Sequence, residues 1–74
     1  MQKLTEEDGR DYLGLLDGLG IVRDKRLLLY HFTEDRETMD AVIAELRKLK
    51  EQPTPKEAEQ LILGVIMKQH YKGE

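Results

Sequence analysis

Apolar residues recur at intervals of three and four along the middle of the chain, with polar residues between them. This pattern comprises Met39, Val42, Ile43, Leu46 and Leu49. Side chains at such intervals share one face of an α-helix. Acidic residues stand before the pattern and basic residues at its end, which is the charge order that the helix dipole favours. The sequence therefore predicts a central helix over residues 34–51, with Thr33 as its N-cap.

A first helix is predicted over residues 5–19, where Thr5 precedes three acidic residues. Its expected buried face consists of Tyr12, Leu15, Leu16 and Leu19. Gly14 and Gly18 lie one turn apart, and we expect them to let another element approach this helix closely. Gly20 is predicted to end the helix.

A third helix is predicted over residues 55–71, after Pro53 has ended the central one. The segment 54–57 has a threonine, a proline at the first helical position and a glutamate three residues after the threonine, which is the signature of a capping box. The short link makes the central and third helices an antiparallel hairpin. The broad apolar surface expected on the third helix consists of Ala58, Leu61, Ile62, Val65 and either Ile66 or Met67.

Residues 21–32 fit two structures. A short β-hairpin or a single strand is favoured, because β-branched and aromatic residues stand at the ends of this segment. The strand would cover residues 26–32. The alternative is a helical turn capped by Asp24, which the three consecutive leucines suit. That turn would place Lys25 and Arg26 unfavourably at the positive end of the helix dipole.

Together these elements predict a small α+β domain over residues 1–74. Its N-terminal helix is followed by a short β-hairpin or single strand and then by the antiparallel helical hairpin. An all-α bundle of three or four helices is the alternative. A chain of 74 residues has room for one domain, and its core is marginal, so self-association is a common source of extra stability.

Composition narrows the expected function. The chain has no cysteine, which removes disulfides and fits a reducing, cytoplasmic location. Its net charge of −3, from residues of mixed sign, gives no basis for nucleic-acid binding. The longest apolar run is too short for a membrane span, and the first residues lack the layout of a signal peptide. We therefore expect a cytoplasmic protein with no membrane partner.

Few residues are suited to catalysis or metal binding. His31 and His70 are far apart and in no ligand spacing. His31 is expected to be partly buried and hydrogen-bonded, and His70 to be solvated near a helix end. The segment 18–20 lacks the third glycine of a dinucleotide-binding fingerprint and is interpreted as helix termination. The sequence thus predicts no enzyme activity, no metal, no cofactor and no small-molecule substrate.

Two charged clusters are interpreted as solvated surface. One consists of Glu6, Glu7, Asp8 and Asp11, which lack the alternating oxygen ligands of a calcium loop and are typical of a helix start. The other consists of Arg23, Lys25 and Arg26. Three cations are too few for the electrostatic footprint of a nucleic-acid site, and they are expected at an exposed hairpin tip.

The surplus of apolar surface on so short a chain predicts a small interaction or regulatory module that self-associates. A lone strand is marginal in water, so residues 26–32 are expected to pair with the same strand of a second copy in a homodimer, or to dock a different protein. The expected contact residues are Leu27, Leu29, Tyr30, Phe32, Ile66 and Tyr71.

A dimeric DNA-binding regulator is the alternative function. The predicted order of strand, helix and helix between Arg26 and Tyr71 resembles, in outline, the ribbon-helix-helix repressors. This resemblance implies an obligate strand-paired dimer that contacts DNA through the ribbon. It is a likeness of element order without a shared motif. In that family the outward face of the strand is polar, whereas both faces of residues 26–32 are apolar here.

Overall fold

The computed structural model describes residues 3–71 and folds them into four α-helices. These are α1 (Glu6–Gly18), α2 (Arg23–Thr33), α3 (Arg36–Arg47) and α4 (Pro55–His70). Within residues 3–71 the sole β-type pairing is an isolated bridge between Lys3 and Asp35. The predicted α+β class is therefore wrong. The domain is all-helical, which is the class that the sequence left as the alternative.

The main correction concerns residues 21–32, where helix α2 replaces the favoured strand. Leucine is a good helix former, and α2 contains no β-branched residue before its last position. Lys25 and Arg26 counted against a helix because of its dipole, but each is paired with an acid from a neighbouring helix. The Lys25 ammonium lies 3.0 Å from the Glu59 carboxylate, and the Arg26 guanidinium lies 2.9 Å from that of Asp17. These tertiary ion pairs offset an unfavourable local charge order.

The N-cap of α3 is Asp35, and the predicted capping role of Thr33 is wrong. Thr33 is the last residue of α2, where its buried hydroxyl donates to the carbonyl oxygen of Leu29 at 2.7 Å. The Asp35 carboxylate accepts the backbone N–H of Thr38 at 2.9 Å, as an N-cap should. Helix α3 is shorter than the predicted 34–51 at both ends, because Asp35 caps its start and Lys48 is already its C-cap.

Helix α1 has the predicted cap and the predicted end. Thr5 and Asp8 form a capping box, in which each side chain accepts the backbone N–H of the other residue at 3.0 and 3.2 Å. Leu19 is the C-cap, and Gly20 follows with a φ of 82°, the left-handed conformation that glycine adopts without strain.

The close approach expected at the glycines of α1 occurs at a different residue. Nothing lies within 4 Å of a Cβ atom placed at Gly14 or Gly18, so the prediction for these two glycines is wrong. At Gly9 a Cβ atom would lie only 2.7 Å from the hydroxyl oxygen of Tyr30. Gly9 is therefore the position at which α1 admits a side chain from α2.

Helix α4 begins as predicted. Thr54 and Glu57 form the capping box, and Pro55 is the first helical residue. Tyr71 is the C-cap, so the helix ends close to the predicted boundary. Fraying expected over residues 72–74 lies outside the described residues.

The core collects side chains from all four helices, and α2 contacts each of the other three. Its buried apolar residues are Tyr12, Leu16, Ile21, Leu29, Met39, Val42, Ala58, Ile62 and Ile66. Leu15 and Leu49, which were predicted on buried faces, are exposed. On α4 it is Ile66 that faces the core, whereas Met67 faces outward. The most extensive helix pair is α3 with α4, the two helices that were predicted to form a hairpin.

Candidate functional site

Helices α2 and α4 lie side by side, and the contacts between them advance in the same chain direction. Near the start of both helices, Lys25 is paired with Glu59. Near the end of both, the Nε2 atom of His70 lies 3.1 Å from the carbonyl oxygen of Phe32 and 3.3 Å from that of Thr33. The two helices are therefore adjacent along most of the length of α2.

An exposed apolar surface, here termed the α2–α4 face, borders this helix pair. It consists of Leu28, Phe32, Leu63, Met67 and Tyr71. Leu28 and Phe32 are one turn apart on α2, and the other three follow one another at one-turn intervals from Leu63 on α4. Phe32 and the three α4 residues line one groove of about 300 Å³. The face is thus continuous across both helices.

His70 lies at one end of this groove and holds the two helices together. Its Nε2 atom faces the two α2 carbonyl oxygens and lies 3.6 Å from the Glu34 carboxylate. Because all three oxygens are acceptors, this nitrogen must carry a hydrogen. The carbonyl groups belong to the last turn of α2, which lacks partners within its own helix. The prediction that His70 is simply solvated is therefore wrong.

The six predicted contact residues lie in different environments. The exposed ones are Leu27, Phe32 and Tyr71. Tyr30 is half-buried against α1, and Leu29 and Ile66 belong to the core with exposures of 2% and 6%. Phe32 and Tyr71 are on the α2–α4 face, whereas Leu27 lies towards α1 in a groove that it shares with Leu13. Whether any of them contacts a partner stays a prediction.

Three residues of the face were not among the predicted contacts: Leu28, Leu63 and Met67. The sequence does contain a signal for the first of them. Leu28 and Phe32 are four residues apart, which is the spacing of neighbours on a helix surface. The spacing of four loses this meaning when residues 26–32 are interpreted as a strand. Every second residue of a strand lies on the same side, so Leu28 and Phe32 are then not distinguished as neighbours.

The titratable groups of the acidic cluster have a structural use. The Thr5 backbone N–H donates to the Asp8 carboxylate and holds the pKa of Asp8 below its usual value, with a smaller contribution from the Arg36 guanidinium 3.7 Å away. At the start of α4, the Thr54 N–H lowers the pKa of Glu57 in the same way. These carboxylates are part of helix caps.

His31 is exposed, contrary to the predicted burial, and its ring centroid lies 5.9 Å from that of Phe32. The basic cluster is not at a hairpin tip, because it occupies the first turn of α2. Within that turn Lys25 and Arg26 are both ion-paired, as described above. These residues contribute to the packing of α2 against α1 and α4.

Two other kinds of site are absent from the described part of the chain. Within residues 3–71, no set of three or more histidine, aspartate or glutamate side chains is arranged to hold a metal ion. None of the four described helices is long and apolar enough to cross a membrane. Compared with family models, curated proteins and solved structures, the chain matches none. The α2–α4 face is therefore interpreted from its geometry.

Proposed function

We propose that this protein is a small protein-interaction module that self-associates through the α2–α4 face. The observation that carries the proposal is the continuity of large apolar side chains across two adjacent helices. Met67 and Tyr71 are both more than half exposed, and Leu28 and Phe32 are nearly so. Such residues, clustered on a small domain, are typical of a binding surface.

The area of the face suits the centre of a homodimer interface. The exposed parts of Leu28, Phe32, Met67 and Tyr71 amount to roughly 400 Å², taking ~200 Å² for a large side chain. A stable interface buries about 800 Å² on each partner and has an apolar centre within a polar rim. The face would supply the centre, and the polar residues beside it on α2 and α4 would supply the rim.

The charges around the face are compatible with a second copy as the partner. The chain carries a net charge of −3, so two copies repel at long range. At one border of the face, however, the Lys25 ammonium pairs with Glu59, and at the other the Glu34 carboxylate lies 3.6 Å from the His70 ring nitrogen. The Glu59 charge is therefore matched within each copy when two copies meet at this border.

The alternative of a ribbon-helix-helix regulator is not retained. That interpretation required a strand over residues 26–32, and this segment belongs to α2. A dimer of this protein would be formed by helices. Its contact surface would include Phe32 and Tyr71 from the sequence-based prediction, together with Leu28, Leu63 and Met67.

The mass of the purified protein in solution tests the proposal. Light scattering after size exclusion, over a hundredfold range of concentration, should give a mass that rises from one copy to two. A mass of one copy throughout, from a protein with a helical circular-dichroism spectrum, would contradict self-association. In that case the α2–α4 face would be left for a different protein.

A further inference from the structure

A second apolar groove lies on another side of the molecule, between the C-terminal halves of α1 and α3. Near the starts of these helices, Arg36 and Asp8 lie 3.7 Å apart. Towards their ends the helices leave a groove of about 740 Å³, here termed the α1–α3 groove. Its lining includes the half-buried apolar side chains of Leu19, Ile43 and Leu46.

The walls of the α1–α3 groove are suited to an incoming helix. On the α1 side the wall includes Gly14 and Gly18, with open space where a side chain would be. Bare backbone at this wall permits another backbone to approach more closely than larger residues would allow. Leu15 and Leu49, both exposed, extend the apolar lining at its edges. The arrangement resembles the hydrophobic grooves that accept one face of an amphipathic helix.

The charges at the groove indicate the chemistry of its occupant. Arg47 and Lys50 line it, and neither forms an ion pair with another of the described residues. The neighbouring Lys48 is paired with Glu45 instead, at 3.3 Å. Glu51 supplies the one negative charge in the lining, so the groove has an excess of positive charge although the whole chain is negative. Complementarity therefore favours an acidic partner.

We propose that the α1–α3 groove binds an acidic amphipathic helix of a different protein, with apolar residues on one face and glutamate or aspartate beside them. A second copy of this chain is a poor match. Its acidic helix is α1, and the apolar side chains Tyr12 and Leu16 of that helix are already buried in its own core. The inference goes beyond the proposed self-association and concerns a separate surface.

Two labelled synthetic peptides of about four helical turns provide the test. The first has leucine along one face and glutamate on both flanks, and the second has lysine in place of every glutamate. Fluorescence anisotropy should show the glutamate peptide binding at least about tenfold more tightly. This preference would oppose the net charge of the chain, which attracts the lysine peptide. Equal binding of the two peptides, or tighter binding of the lysine peptide, would overturn the proposal.

Two pairs of variants place the binding in the groove. Gly14 has open space at its Cβ position, so Gly14→Leu should extend into the groove and weaken binding of the glutamate peptide at least about tenfold. Gly64→Leu, at a glycine of α4 that is equally open at its Cβ position, should not. Arg47→Glu should weaken binding more than Lys48→Glu, which makes the same change of charge outside the groove.

Unchanged binding by Gly14→Leu would overturn the proposal. The proposal would also be overturned if the glutamate peptide did not bind and Gly14→Leu lowered the solution mass. That result would mean that a second copy of this chain occupies the groove. Leu28→Glu should leave peptide binding intact, which separates this test from that of self-association.

Discussion

The hydroxyl groups of Tyr12 and Thr33 lie 3.0 Å apart in the core and link α1 to the end of α2. The Thr33 hydroxyl donates its hydrogen to the Leu29 carbonyl, so the Tyr12 hydroxyl is the donor between the two side chains. Burial raises the pKa of Tyr12, partly opposed by this hydrogen bond, so the hydroxyl keeps its hydrogen at neutral pH. This hydrogen bond is therefore a polar contact between α1 and α2 within a mostly apolar core.

Removing the Tyr12 hydroxyl and removing the Thr33 hydroxyl should each destabilise the protein, but by different amounts. Tyr12→Phe deletes one donor and leaves Thr33 bonded to Leu29, so it should cost about 1 kcal/mol. Thr33→Val leaves the buried Tyr12 hydroxyl without its acceptor and should cost more, about 1–3 kcal/mol. Urea denaturation measures both, and the double variant should cost less than the sum of the two. A larger loss for Tyr12→Phe than for Thr33→Val would contradict the assigned donor.

Two glycines should respond to alanine with opposite signs. Gly14→Ala adds a methyl group in open space within α1 and should stabilise the protein by up to about 1 kcal/mol. Gly20→Ala imposes a positive φ on alanine and places its methyl group 2.9 Å from the Pro55 ring, so it should destabilise by about 1–2 kcal/mol or more. Thermal unfolding followed by circular dichroism gives both signs directly. Equal effects at the two positions would contradict the described end of α1.

The helix cap at Asp8 predicts part of the acid sensitivity. The pKa of Asp8 is lowered in the folded protein by the Thr5 N–H, so the unfolded chain binds a proton more readily. The stabilisation is therefore complete above the unfolded pKa of about 3.9 and is lost as pH falls through the folded pKa. Asp8→Asn should flatten the loss of stability between about pH 5 and pH 2 in a denaturation series. Asp11→Asn removes the same charge from α1 away from the cap and is the control for the loss of charge.

The contact of His70 with α2 predicts a loss of stability on truncation. His70→Ala leaves the carbonyl groups of Phe32 and Thr33 without this donor and should cost about 1 kcal/mol. Hydrogen exchange should show that His70→Ala accelerates the exchange of amides in the last turn of α2 more than that of amides in α1. Lys68→Ala, an exposed change in the same turn of α4, is the control and should alter neither quantity. Unchanged exchange in α2 after His70→Ala would argue against this tie between the two helices.

Several helix boundaries, though not the cap predicted at Thr33, could be predicted from the local chemistry of the sequence. The capping box at Thr54, the cap at Thr5 and the stop at Gly20 each follow from a few adjacent residues, and all three were predicted correctly. The state of residues 21–32 could not be decided in this way. Lys25 and Arg26 counted against a helix because of its dipole alone, whereas in the fold they pair with Glu59 and Asp17 on neighbouring helices.

The α2–α4 face could be predicted only in part from the sequence, because it depends on how two helices pack together. Phe32 and Tyr71 were among the predicted contact residues, but their adjacency requires that α2 and α4 lie side by side. Leu29 and Ile66 have the same apolar character and are buried instead. Residue type alone does not separate an exposed leucine from a buried one, because the direction of each side chain follows from the helix and its neighbours.

The most direct test of the central claim uses two adjacent leucines of α2. Leu27 and Leu28 are each 47% exposed, but only Leu28 lies on the α2–α4 face. Light scattering over a hundredfold concentration range should show that Leu27→Glu retains the dimer. Leu28→Glu should raise the concentration at which the mass increases at least about tenfold, equivalent to ~1.4 kcal/mol of weaker self-association. Both variants should keep the helical circular-dichroism spectrum. An unmodified chain that is monomeric throughout, or a Leu28→Glu variant that dimerises as tightly as Leu27→Glu, would contradict the account.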